Sequence, residues 1–317
     1  MSPLDTPFEV TVVGRTPTQG GIVVLELAAA EGASLPVWTP GAHVDVLMPD
    51  NMVRQYSLCG DPESDRWRIA VLREEAGRGG SRWLADHAQV GTTLSLEGPR
   101  NHFELEASMA PVLFLAAGIG VTPLAAMAQA AQIKGREYRF AYSGTTREAM
   151  ALLDELAQTH GERFQACVSE EGTRVNLVSE FAELAPGTVI YACGPARYLD
   201  AVTSAAAMHQ VDLHLEHFTP VELTAPLRDE AFEVELAMSG FTVQVPPGTS
   251  ILQAVEEEGV LVLSSCTEGT CGTCETPVLE GEVDHRDSIL TPAERERGDV
   301  MYVCVSRAAC PRLVLDL

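Results

Sequence analysis

The stretch CTEGTCGTC, residues 266–274, sets Cys266, Cys271 and Cys274 inside nine residues, and Cys304 follows 30 residues after the last of them. Gly269 and Gly272 lie between these thiols. Glycines let the backbone approach closely and turn N–H groups toward sulfur, so three side chains can face one centre. The 317 residues hold eight cysteines, and the N-terminus MSPLDTPFEV lacks the basic-then-apolar pattern of a signal peptide. That combination argues against a disulfide scaffold and for reduced thiols in a cytoplasmic protein. Clustered cysteines in that setting point to metal. The spacing C-x4-C-x2-C with a distant fourth cysteine suits four thiolates around two irons bridged by two sulfides. A zinc site is the alternative, and it favours C-x2-C pairs or histidine ligands. Cys304, in the strand-like MYVCVSRA, is the expected fourth ligand. Cys59 and Cys167 read as packing residues and Cys310 as a spare thiol.

Charge narrows the partners. The chain carries 45 acids against 21 bases, a formal net charge of −24, which repels phosphate backbones and anionic membrane surfaces. Neither nucleic acid nor membrane is an expected partner. Residues 226–317 are the most acidic third, with 17 acids against 6 bases. Glu268, Glu275, Asp284 and Asp287 lie close to the cysteine loop in sequence and are expected to steer a basic partner surface. One segment, APVLFLAAGIGVTPLAAMAQAAQI at 110–133, is apolar enough to be weighed as a membrane span. Gly118, Gly120 and Pro123 break it, so a buried strand entering a helix is the better reading.

Patterning divides the chain into three domains, 1–106, 107–225 and 226–317. The first shows short β-segments, FEVTVVGRT, GIVVLELAA, HVDVLM, RQYSLCG, WRIAVLREE and TLSLEGP, between Gly, Pro and Asp clusters, which predicts an antiparallel β-barrel. The second alternates apolar strands (PVLFLAA, YRFAYSG, RFQACVS, TVIYACG) with helical stretches over 147–160 and 196–210, the mark of an α/β parallel sheet. After a Pro-containing segment at 218–230, β-pattern returns in AFEVELAMSGFTVQVPPG, followed by a helix in SILQAVEEEGV. The last domain therefore reads as α+β.

Two turns in the middle domain draw notice. GIGVTP at 118–123 follows a strand and opens a helix, where free N–H groups can meet a pyrophosphate; YACGP at 191–195 also ends a strand and precedes a helix. Ligands of open α/β sheets bind at such strand ends. Each alone is also compatible with an ordinary tight turn. In the first domain, RQYSL at 54–58 is a strand that can aim an arginine at a phosphate, and GRGGSRWL at 77–84 is a plausible phosphate cradle.

With these motifs in place, the last domain resembles a plant-type 2Fe-2S ferredoxin of the β-grasp type, with Cys266, Cys271, Cys274 and Cys304 as metal ligands. The first two resemble the flavin and pyridine-nucleotide domains of the ferredoxin reductase superfamily. In this order they resemble the phthalate dioxygenase reductase family. The resemblance implies FMN rather than FAD, bound by Arg54, Gln55, Tyr56, Ser57, Leu72, Arg73, Gly79, Gly80, Ser81, Thr122 and Phe218. It implies a nicotinamide nucleotide held by Gly118, Gly120, Val121, Pro123, Ser143, Ser169, Glu170, Cys193, Gly194 and Pro195. Ser57, Thr122 and Cys193 would stand at the reacting centre. Where NADPH-using relatives often carry a Ser-Arg pair, this sequence reads Ser169, Glu170, Glu171, and a carboxylate there repels a 2′-phosphate. NADH is the expected donor, though both glutamates could be merely solvated.

The resemblance implies an NADH-dependent reductase, a monomer, that passes electrons through FMN and the 2Fe-2S cluster to a terminal oxygenase. The expected acceptor is a Rieske-type aromatic oxygenase or O-demethylase. A reductase serving a P450 or a diiron oxygenase is the alternative within the class, and a redox sensor without a catalytic partner the alternative outside it.

Overall fold

A computed structural model of the protein describes residues 6–317, which fall into two compact units that meet in sequence at Phe218 and Thr219. The first unit begins with β1 (Phe8–Pro17), β2 (Ile22–Ala29), β3 (His43–Met48), β4 (Met52–Ser57), β5 (Arg66–Leu72), α1 (Gly80–His87) and β6 (Thr93–Arg100). The six strands pair antiparallel in the order β4-β3-β6-β1-β2-β5. A further bridge, Leu58 to Ile69, joins the two ends of that order and closes the sheet into a barrel. Alternation drives this. Val10, Val12, Leu25 and Leu27 point inward and are fully buried, while Thr11 and Glu26 between them are only partly buried; in β3 Val44 and Val46 are fully buried too.

The same unit continues with β7 (Val112–Ala117), α2 (Val121–Ile133), β8 (Tyr138–Gly144), α3 (Leu153–His160), β9 (Phe164–Val168), α4 (Leu177–Ala182), β10 (Val189–Cys193), α5 (Ala196–His209) and β11 (Asp212–Glu216). All five strands run parallel in the order β11-β10-β7-β8-β9. Strand β7 is buried at every position, as a parallel strand covered on both faces must be. The 110–133 segment is thus a strand, a single 3-10 turn and a 13-residue helix. Among the described residues no helix is long and apolar enough to cross a membrane.

One expected helix is shorter than its sequence pattern. Residues 147–160 read as helix throughout, yet α3 starts at Leu153, after a left-handed Leu152 (φ 59°). The cause is tertiary: Gly20 of the barrel donates its N–H to the Glu148 carbonyl at 3.1 Å, and its α-carbon sits where a methyl would stand 2.3 Å from that oxygen. The barrel holds residues 145–150 as a turn, and helix propensity gives way.

The second unit contains β12 (Phe232–Leu236), β13 (Phe241–Val245), α6 (Ile251–Glu257), β14 (Glu275–Glu280), β15 (Val283–Asp284), α7 (Pro292–Arg297), β16 (Val300–Tyr302), β17 (Arg307–Ala308) and β18 (Arg312–Leu315). Its mixed sheet has the order β13-β12-β18-β14-β16, with β12 and β18 parallel, and β15 pairs with β17 beside it. Helix α6 is capped by Ser250, whose hydroxyl accepts the Gln253 N–H at 3.1 Å, and it buries Ile251, Leu252, Ala254 and Val255 in the core. This is the expected β-grasp. Cys304, expected on a strand, lies in the turn after β16, where Val305 and Ser306 N–H groups both bond the Tyr302 carbonyl. Leaving the sheet there lets its thiol reach the 266–274 loop.

Candidate functional site

In the second unit the thiol loop is built by left-handed backbone. Thr267, Gly269 and Gly272 have φ of 56°, 71° and 76°, so the chain coils tightly and aims its groups inward. The loop is braced from behind: the Gly269 carbonyl accepts the Ser288 N–H at 2.9 Å, and Gly269 packs against Asp287 and Val305. Cys266, Cys271, Cys274 and Cys304 are all buried. The Glu268 N–H points at the Cys266 sulfur at 3.3 Å and the Cys266 N–H at the Cys271 sulfur at 3.4 Å. Such donors favour negative sulfur.

The four thiols pair two and two. Cys271 donates to Cys266 and pulls it down to about 5, while Cys271 itself is pushed up. Cys274 is hydrogen-bonded to Cys304 and is likewise pushed up, by that bond and by burial. A tetrahedral zinc with Zn–S of about 2.3 Å would hold its sulfurs about 3.8 Å apart in every combination. Among the described residues, the single set of three ligand atoms all within 4.8 Å of one another is Glu106, Asp212 and His214. The cysteines therefore suit two metal ions, one per pair, better than one.

The acids near this loop are less free than their sequence suggests. Asp287 is buried and its carboxylate accepts the N–H groups of Ile289 and Leu290 at 3.0 and 2.8 Å. Glu275 accepts the Tyr302 hydroxyl at 2.9 Å, and Asp284 the Leu227 N–H at 3.0 Å. Asp287 folds the loop; it is not part of a steering surface.

In the first unit the parallel sheet reverses its strand order between β7 and β10, the place where such sheets bind ligands. Nearly all the expected nucleotide residues gather along the C-terminal edge: Gly118, Gly120, Val121 and Pro123 after β7, Ser143 at the end of β8, Ser169 and Glu170 after β9, Gly194 and Pro195 after Cys193 on β10. The two central turns interlock. A methyl on Gly120 would stand 2.4 Å from the Cys193 carbonyl, and one on Gly194 would stand 2.9 Å from the Ala117 Cβ. The Tyr142 hydroxyl holds the first turn by donating to the Gly118 carbonyl at 3.0 Å. Thr122 is buried, and its hydroxyl donates to the Ile119 carbonyl at 3.0 Å, so the side chain serves the turn itself.

Beside this crevice the Cys193 sulfur lies 3.8 Å from a Glu216 carboxylate oxygen, across the β10–β11 register. Burial raises both groups, Glu216 to about 8 and the Cys193 thiol well above its usual value. Cys193 is thus a neutral thiol at neutral pH. Phe218, two residues past Glu216, is 40% exposed at the end of the unit.

The barrel places its motif residues around helix α1. Arg54 lies across the start of that helix, where a methyl on Gly80 would meet the Arg54 Cγ at 2.7 Å. Gly79, the N-cap residue, is left-handed (φ 95°) and no side chain caps the helix, so its first N–H groups remain available to an anion. That cradle fits a phosphate. Ser57 is buried at the end of β4, and burial pushes the Tyr56 phenol up. Ser81 accepts the Glu74 N–H at 3.1 Å. Gln55 turns the other way and donates to the buried Asp45, which also pairs with Arg100 at 2.7 Å. Leu72 packs on the core, and Arg73 pairs with Glu75 and Asp86.

Sequence reasoning singled out Glu170, but its neighbour Glu171 is the one engaged, by Arg147 at 2.6 and 2.8 Å. No local signal links two residues so far apart in the chain. Only the β8–β9 register brings them together.

Comparison with known proteins accords with this geometry. The family described as the 2Fe-2S iron-sulfur cluster binding domain matches residues 234–309. The chain is 40% identical over 299 residues to phenoxybenzoate dioxygenase subunit beta of Ectopseudomonas oleovorans, covering 93% of each chain. Among solved structures it is similar to phthalate dioxygenase reductase (TM-score 0.70, 33% identity, 99% of this chain and 98% of that one). It is also similar to an intact type IV self-sufficient cytochrome P450 monooxygenase (TM-score 0.92, 42% identity, 98% of this chain), of which it spans only 41%.

Proposed function

This chain belongs to the phthalate dioxygenase reductase family, and from that premise we propose that it carries electrons from NADH through FMN and a 2Fe-2S cluster to a terminal oxygenase. The domains are 1–106 for FMN, 107–225 for NADH and 226–317 for the cluster. The observation that carries the reading is the crevice at the strand-order reversal, where two interlocked glycine turns and a neutral Cys193 thiol converge, in a chain that also holds paired thiols. A bound flavin accepts two electrons as hydride and releases them singly, which matches a nicotinamide donor to an iron-sulfur acceptor.

The chain's own residues do the positioning. Gly118 and Gly120 leave room for a pyrophosphate against backbone, and the absence of a charge on Cys193 keeps the crevice wall apolar toward a nicotinamide ring. Glu216 beside it can hold a proton up to about pH 8. Arg54 and the uncapped start of α1 would anchor the flavin phosphate. Ser57 and Tyr56 would lie against the flavin ring. Cys266 with Cys271, and Cys274 with Cys304, would hold the two irons of the cluster.

The acceptor we favour is a Rieske-type aromatic oxygenase or O-demethylase, and the reductase works as a cytoplasmic monomer. Likeness to a self-sufficient P450 supports a second acceptor class. The test is direct. Acid extraction of the purified chain should release one FMN, with two irons and two labile sulfides per chain, and NADH should drive dye reduction. Recovery of FAD or zinc would overturn the cofactor assignment, and failure to oxidise NADH the activity. Turnover with a Rieske oxygenase against turnover with a P450 decides the partner.

A further inference from the structure

The turn after β8 and the turn after β9 are tied to each other at the C-terminal edge of the parallel sheet. The Glu170 N–H donates to the Thr145 carbonyl at 3.1 Å, and Arg147 in the first turn meets Glu171 in the second fork to fork, Nε to Oε1 at 2.6 Å and Nη2 to Oε2 at 2.8 Å. This corner lies on the β8–β9 side of the strand-order reversal, the side toward which a dinucleotide extends its adenosine ribose. Both side chains are about half exposed, 54% for Arg147 and 45% for Glu171, so a ligand can reach them.

A guanidinium offers the same two-pronged donor set to a carboxylate and to a phosphate. Here the carboxylate holds it. We propose that Glu171 selects against NADPH by occupying Arg147, so that an arginine placed for a 2′-phosphate is engaged while Glu170 stays open to the ribose hydroxyls. This rests on the nucleotide reading of the sheet edge given above and deepens it: preference is set by a masked arginine, not by repulsion alone. With Glu170, Glu171 and Arg147 the corner carries one net negative charge; losing the Glu171 charge neutralises it and frees the fork. An exposed ion pair of this kind adds little to stability, so removing it unlatches the arginine without unfolding the sheet.

The two mechanisms separate in a double-mutant cycle on the full-length holoprotein. Glu171→Gln should raise the ratio of kcat/KM for NADPH over NADH by about tenfold. In Glu171→Gln with Arg147→Met the gain should vanish, whereas in Glu171→Gln with Arg174→Gln, the other arginine of that region, it should persist. Calorimetric binding of 2′,5′-ADP, which carries the 2′-phosphate but no nicotinamide, should follow the same order. A gain that survives the loss of Arg147 would show plain repulsion and overturn the masking. So would an unchanged ratio in Glu171→Gln, or a gain that disappears with Arg174. Failure of the functional reading looks different: the wild-type chain would not oxidise NADH, while the 2′,5′-ADP series would still report on the corner.

Discussion

The cluster loop at 266–274 and the turn at 118–123 both depend on glycine, and their glycines answer to different neighbours. Gly269 and Gly272 have φ of 71° and 76°, a local conformation that side chains resist wherever it occurs. Gly120 has an ordinary φ of −63°, and what excludes a side chain there is the Cys193 carbonyl on another strand, 2.4 Å from where a methyl would stand. A thiol cluster needs particular residue types, and these show in the sequence. A nucleotide crevice needs space between two backbones, and that is created only when β7 and β10 become neighbours.

The largest break in this comparison should come from Cys304→Ser. Removing one of four thiolates should abolish the visible cluster bands and cut delivery to a protein acceptor by about 100-fold or more, while NADH still bleaches the flavin. Loss of both activities would mean the two units do not act separately. Next comes Gly120→Ala. Because backbone meets backbone, NADH kcat/KM should fall by about 10²-fold, on the order of 2.7 kcal/mol, with cluster absorption intact. A variant with normal NADH kinetics would show that the interlocked turns are not the binding crevice.

Gly269→Ala tests the other side. Its methyl would meet Val305 Cγ2 at 2.6 Å in a left-handed backbone, so the second unit should lose about 1–3 kcal/mol. Its melting, followed by cluster bleaching, should drop by about 4–20 °C while flavin reduction is untouched. The smallest effect is one of pH. Burial raises Glu216 from 4.5 to about 8, so its contribution to stability is fully present below pH 4.5 and is lost as pH rises toward 8. The melting advantage of wild type over Glu216→Gln should therefore shrink between about pH 5 and 8 and level off above, read from unit-1 melting curves. A constant difference across that range would place Glu216 in water.

Much of the fold was open to reading. The barrel strands, the β-α alternation and the thiol spacing follow from periodicity and residue type, and the observed strands begin and end within a few residues of those expectations. The departures share a cause. The turn at 145–150 replaces helix because Gly20 of the barrel binds the Glu148 carbonyl. Asp287, acidic and near the loop in sequence, is buried because Ile289 and Leu290 need an acceptor there.

From its sequence alone this protein was bound to have clustered thiols, an antiparallel first domain and a parallel second one, because ligand chemistry and side-chain periodicity are local and are written residue by residue. The tertiary structure decided which thiols pair, that Gly120 must be bare against Cys193, that Glu216 is held beside that thiol, and that Glu171 rather than Glu170 grips Arg147. Each of these depends on two segments distant in the chain being set a few ångströms apart, and strand order and register, not sequence spacing, fix that distance.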